Sequence, residues 1–242
     1  MRRMAGLWAA LLLVLALTPV QAGAVELPIQ AEAALLMEKE TGQVLYAKNE
    51  HQTLEPASVT KVMTLLLVME AIDRGTLAYD DVVTISDYAA SMGGSQIFLS
   101  PGEQITVEDL LKGVCVSSGN DAAVALALHC SGSVPAFVAE MNRRAAALGL
   151  RDTHFANPNG LDDDGNYATA RDLAYLAAYA MKQPAFARIA ATKTASIPGR
   201  SLRNHNKLLW RYDGADGVKT GYTKAAGRIL VSSAVRGGRR LV

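Results

Sequence analysis

Cysteine is nearly absent: 242 residues contain two, Cys115 and Cys130. Two are too few for a disulfide framework and lack the paired spacing of a zinc site, so either free thiols or a single bridge is open to them. Net charge is almost absent too, +1 from 24 basic and 23 acidic residues. With no concentrated basic run, nothing displaces counterions from a phosphate backbone, which excludes nucleic acid as the partner. The four histidines, His51, His129, His154 and His205, come without any Gly-x-Ser-x-Gly elbow, so they read as structural rather than as part of a Ser-His-Asp hydrolase. The acidic run Asp162-Asp163-Asp164-Gly165-Asn166 lacks the alternating ligands and closing glutamate of a calcium loop and reads as a solvated turn. Neither a metal nor a cofactor is called for. An apolar stretch of the roughly 20 residues a membrane span needs is also missing. Residues 5–17 are apolar but shorter, follow Arg2 and Arg3, and precede the small residues Ala22-Gly23-Ala24. Residues 1–24 therefore read as a secretory signal peptide and 25–242 as the exported domain.

What is present is apolar mass, 50% of the chain, enough for a full-sized core. Apolar-rich runs at 33–39 and 43–48 flank Glu40-Thr41-Gly42, a hairpin pattern. Residues 58–74 form a long amphipathic helical segment, with Pro56 just before it and Gly75 just after. Thr106 and Thr169 each stand three residues before an aspartate, as in capping boxes that start helices. Helical patterns at 121–129 and 135–148, the second closed by Gly149, complete a helical middle section. Beyond Pro184 strand signals return at 193–197, 217–223 and 228–235. Strands flanking a helical block predict an α/β fold of the α+β type: one antiparallel sheet built from both chain ends, flanked by helices and carrying a helical subdomain. Arg236-Gly237-Gly238 reads as a hairpin turn and 239–242 as the start of a returning strand, so we expect a domain incomplete at its C-terminus, with one sheet edge unpaired.

Three short patterns carry chemistry. Ser58 and Lys61 stand three apart at a helix start, which puts an amine beside a hydroxyl near unpaired backbone N–H groups. A serine hydroxyl needs an adjacent base to become a nucleophile, and Lys61 serves only if burial and a positive neighbour keep it neutral. Alone, this pair reads more readily as an N-cap residue and a solvated helix charge. Ser118-Gly119-Asn120 lies in a loop between helical patterns, and Lys219-Thr220-Gly221 lies on a strand whose glycine admits close backbone approach. Each pattern occurs once, in this order, and Lys-Thr-Gly by itself arises by chance in about one such chain in thirty.

With Met92-Gly93-Gly94-Ser95-Gln96, the run from Leu110 through Ala123, residues 157–162 and Lys219-Thr220-Gly221-Tyr222-Thr223, the chain resembles the low-molecular-weight D-alanyl-D-alanine carboxypeptidases of peptidase family S11, penicillin-binding proteins of the β-lactamase-like fold. The resemblance implies that Ser58 forms an acyl-enzyme, Lys61 takes its proton, and Ser118 and Asn120 relay protons and hold the substrate amide. Lys219, Thr220 and Gly221 would bind the terminal carboxylate. The backbone N–H groups of Ser58 and Tyr222 would form an oxyanion hole, and Lys219 would be the positive neighbour of Lys61. The implied substrate is a peptidoglycan stem peptide ending in D-Ala-D-Ala, with β-lactams as acylating inhibitors, outside the cytoplasm, and without nucleic acid. Family members continue into a β-rich domain and an amphipathic membrane anchor, so membrane association is implied for full-length relatives and unsupported by this chain. A class A-like β-lactamase would need a deacylating glutamate between Ser118 and Lys219, where only Glu140 occurs, on a predicted helix. A catalytically silent peptidoglycan-binding protein has no chemical need for Ser58, Lys61, Ser118 and Lys219 together. Nothing in the sequence accounts for Arg228.

Overall fold

The computed structural model describes residues 27–242, so the signal-peptide reading of 1–24 lies outside the described residues. Residues 27–31 form neither helix nor strand, and 32–242 make up the folded unit. It opens with β1 (Ala34–Met37) and β2 (Val44–Lys48), then a 3₁₀ turn (Ala57–Thr60) runs into α1 (Lys61–Asp73). The helical block follows: β3 (Val82–Thr84), α2 (Asp87–Ala90), β4 (Gln104–Thr106), α3 (Val107–Val116), α4 (Asn120–Ser131), α5 (Val134–Ala147), α6 (Ala170–Ala180) and α7 (Pro184–Ala190). The last part holds β5 (Thr194–Ile197), β6 (Arg200–Arg203), α8 (Leu208–Arg211), β7 (Ala215–Thr223), β8 (Gly227–Arg236) and β9 (Arg239–Leu241).

The capping signals hold. Thr106 accepts the Asp109 N–H at 3.2 Å and Thr169 accepts the Asp172 N–H at 3.1 Å, each satisfying an orphan donor at the start of α3 and α6. The amphipathic reading of 58–74 does not hold. Every residue from Lys61 to Met69 is buried, because α3, α4, α5, α6 and α7 all pack against α1. A helix apolar all round is a central one, and each fully buried Leu, Val or Met there contributes about 1.5–3 kcal/mol.

β1 pairs antiparallel with β2, and β7, β8 and β9 form a second antiparallel ladder. The two ladders are joined by the chain ends. Met37 and Val242 exchange both backbone hydrogen bonds, at 2.8 and 2.9 Å, and the Lys39 N–H donates to the Arg240 carbonyl at 2.9 Å. The sheet is therefore built from both ends, as expected, but the unpaired edge is not found there: β1 covers the outer side of β9. Arg240 is tied back to Asp216 and to Ser233 Oγ, fixing β9 against the ladder. Both cysteines are free thiols, and burial pushes each up to about 11.

Candidate active site

The 57–60 turn and α1 together place the first pair. In a 3₁₀ turn residues three apart eclipse, so the Ser58 side chain stands directly by Lys61. Lys61 Nζ lies 2.9 Å from Ser58 Oγ, 2.6 Å from Asn120 Oδ1 and 2.5 Å from the Asn159 carbonyl oxygen. The lysine is wholly buried, and that burial, reinforced by the charge of Lys219 and opposed by Asp121, holds its pKa well below the ordinary lysine value.

Asn120 opens α4 and is anchored on every side. Its side-chain amide donates to the Gly93 carbonyl at 2.7 Å, and its backbone N–H donates to the Ser95 carbonyl at 2.7 Å. The neighbouring carboxylate of Asp121, 1% exposed, accepts the backbone N–H groups of Ile97 and Leu99 at 3.1 Å and of Ala122 at 2.9 Å. The loop at 93–99 is thus bolted to the start of α4. Ser118 sits just before, in the left-handed region at φ +62°, where a residue with a Cβ is strained by about 1–3 kcal/mol. Its hydroxyl is buried and has no hydrogen-bond partner.

The third pattern lies on β7, which packs against the 57–60 turn. Gly221 makes that contact feasible: a Cβ there would stand 3.1 Å from the Ala57 Cβ and 3.2 Å from the Ser58 nitrogen. Opposite, Gly160 at φ +77° abuts the same turn, and a Cβ would fall 1.8 Å from the Ala57 carbonyl oxygen. Thr64 Oγ1 donates to the Pro158 carbonyl at 2.6 Å, docking the 157–160 turn on α1. Lys219 is buried, its Nζ donating to the Thr220 carbonyl at 3.1 Å, and burial lowers its pKa to about 8. Tyr222 is 65% exposed, and the Arg228 guanidinium, its cross-strand neighbour, lies 5.8 Å from the ring centroid. That stacking is the place the structure gives Arg228.

Residues 20–242 match the family described as D-alanyl-D-alanine carboxypeptidase, peptidase S11. The chain belongs to that S11 family. It is 46% identical over 222 residues to the D-alanyl-D-alanine carboxypeptidase DacF of Bacillus subtilis, covering 90% of this chain and 57% of the relative. It is 40% identical over 222 residues to DacA of Escherichia coli K12, covering 88% and 55%. The chain thus spans little more than half the length of these curated relatives. Among solved structures, penicillin binding protein 5 from Haemophilus influenzae superposes with a TM-score of 0.87 at 40% identity, over 90% of this chain and 65% of that one. A mutant of Streptomyces K15 DD-transpeptidase superposes with 0.83 at 35% identity, over 89% and 90%.

Within this S11 chain, the fold brings Ser58, Lys61 and Asn120 into one hydrogen-bonded cluster. Lys219 reaches Lys61 through its field and not through a bond, and the Ser118 hydroxyl bonds to neither. Three contributors carry no role in the sequence reading. The Asn159 carbonyl on Lys61 and the Asp121 carboxylate under the 97–99 loop lie within segments that contributed to the family resemblance, without a function attached. His205, read as structural, is solvent-exposed between β6 and α8, and partial desolvation and the charge of Lys219 lower its pKa. No pattern in the sequence places it there. Glu140 lies on α5 and pairs with Arg143.

Proposed function

We propose that the protein is a serine D-alanyl-D-alanine carboxypeptidase that removes the terminal D-alanine from peptidoglycan stem peptides through an acyl-enzyme on Ser58. The observation that carries this reading is the environment of Lys61. A neutral amine has two N–H donors and one lone pair. The carbonyl oxygens of Asn120 and Asn159 take the two donors, which leaves the lone pair for the Ser58 hydroxyl at 2.9 Å. Lys61 then accepts the Ser58 proton as the oxygen attacks the scissile carbonyl, and returns a proton to the leaving amine. The Ser58 and Tyr222 N–H groups receive the developing oxyanion, a pairing supported by the contact of Gly221 with the turn that carries Ser58. Ser118, strained and unpartnered, has a hydroxyl free to relay protons to the substrate. Lys219, with Thr220 and Gly221, holds the substrate's terminal carboxylate, and water then releases the shortened peptide.

β-Lactams acylate Ser58 in place of the peptide and leave slowly, since Glu140 is engaged by Arg143 on α5. The action is extracytoplasmic, supported by the leader-like composition of residues 1–24. A silent binding role is disfavoured by the lowered pKa values of Lys61 and Lys219, which a binding module has no reason to maintain.

Purified protein and Ser58→Ala are incubated with a diacetyl-Lys-D-Ala-D-Ala peptide and with labelled penicillin, following D-alanine release and covalent labelling. The wild type should release D-alanine and be labelled, and Ser58→Ala should do neither. Labelling retained in the variant would refute the mechanism.

A further inference from the structure

The sequence has no basic run, yet the fold concentrates cations around one cleft. A cavity of about 470 Å³ is lined by Arg203, Asn204, His205, Lys207, Trp210 and Arg211. Arg144, Arg200 and Arg240 each have a carboxylate partner, whereas among the described residues none lies within ion-pairing distance of Arg203, Lys207 or Arg211. An anion between these three exposed cations would relieve their mutual repulsion, which water and salt only screen.

The frame beneath these charges is rigid. Asn206, 1% exposed, donates to the Gly217 carbonyl at 2.8 Å and accepts the Leu208 N–H at 3.1 Å. Asn204 donates its side-chain amide to the Thr192 carbonyl and its backbone N–H to the Lys193 carbonyl, both at 2.9 Å. The Arg203 guanidinium is stacked 5.4 Å from the centroid of Trp210, whose indole is 41% exposed. Stacking holds the guanidinium fork in one plane before any ligand arrives, which lowers the ordering cost of binding.

We propose that this cleft is a binding site for a phosphate mono- or diester group. One arginine satisfies a carboxylate, whereas a phosphate group, with up to two charges and several acceptor oxygens, suits a cleft lined by three cations. The cavity has the size of a small-ligand pocket, too small for a folded partner. Its frame is also joined to the strand that carries Lys219, through the Asn206 hydrogen bond to Gly217 on β7. A phosphate-bearing envelope component held here would lie beside the peptide cleft.

Trp8 and Trp210 are the only tryptophans, so Trp8→Phe in the full chain makes Trp210 the sole fluorescent reporter. That protein is titrated with inorganic phosphate and pyrophosphate, and separately with phosphatidylglycerol and phosphatidylcholine vesicles. We expect a saturable change in Trp210 emission, with an affinity about tenfold weaker or more in Lys207→Glu/Arg211→Glu. A response to the soluble anions assigns the site to a free or polymer phosphate. A response to phosphatidylglycerol alone assigns it to a lipid headgroup. No response to any of these, an equal response to phosphatidylcholine, or full affinity in the double variant overturns the proposal. Circular dichroism melting checks that the double variant is folded, and Lys207→Gln/Arg211→Gln replaces it if it is not. None of these readouts uses Ser58, so failure of the peptidase reading leaves this result standing.

Discussion

Lys61 has no carboxylate among its hydrogen-bond partners; they are one hydroxyl and two carbonyl oxygens. Its protonation is therefore governed, against the more distant opposing charge of Asp121, by burial and the charge of Lys219. In Lys219→Ala that charge is gone, so the Lys61 pKa rises, and the acid limb of the pH profile for penicillin acylation should move to higher pH. An acid limb that stays in place would sink this account. If Lys219 holds the substrate carboxylate as proposed, the alkaline limb of wild-type peptide turnover should fall near pH 8, where Lys219, lowered to about 8, loses its proton. The Ser58-Lys61 pair was legible because its chemistry lies in two side chains at a helical spacing. The Asn159 contact was not, because a main-chain carbonyl leaves no mark on residue type. Asp121 was hidden for the same reason: it binds the backbone N–H groups of Ile97 and Leu99, which any residues would supply.

At the scale of elements, the 57–60 turn is gripped between β7 and the 157–160 turn. Gly160→Ala combines a disfavoured positive φ with an overlap onto the Ala57 carbonyl, so we expect a loss of about 2 kcal/mol or more by urea denaturation. The same displacement moves Ser58 from Lys61, and penicillin acylation should slow with it. A variant as stable and as reactive as the wild type would show that the 157–160 turn does not position the nucleophile. The caps of α3 and α6 were readable because a threonine and the aspartate three residues later act locally. The burial of α1 was not, since residues 58–74 do not disclose that five other helices surround them.

For the whole molecule, buried lysines make stability depend on pH. Lys219 has a folded pKa of about 8 against an ordinary 10.5, so above pH 8 the unfolded chain holds more protons than the native one and stability rises with pH. From pH 8 to pH 9 the wild type should gain about 1 kcal/mol relative to Lys219→Met in urea denaturation. Above pH 9 the buried thiols of Cys115 and Cys130, pushed up to about 11, act in the opposite direction, which sets the upper end of the test. A flat difference between the two proteins would exclude the buried cation as its source. That both chain ends build one sheet was legible from strand signals at either side of a helical block. Which strands meet was not, because backbone pairing between Met37 and Val242 depends on the path of everything between them.

That pairing sets an order of assembly. Synthesis delivers β1 and β2 long before the segment that pairs with β1 at Met37 and Lys39. The sheet is a contact of very long sequence separation, the kind that forms slowly. A nascent chain can cap and coil its helices early, but β1 gains its second neighbour only when Arg240 and Val242 have arrived. The edge of β1 that faces β9 therefore stays open until residues 239–242 have been made.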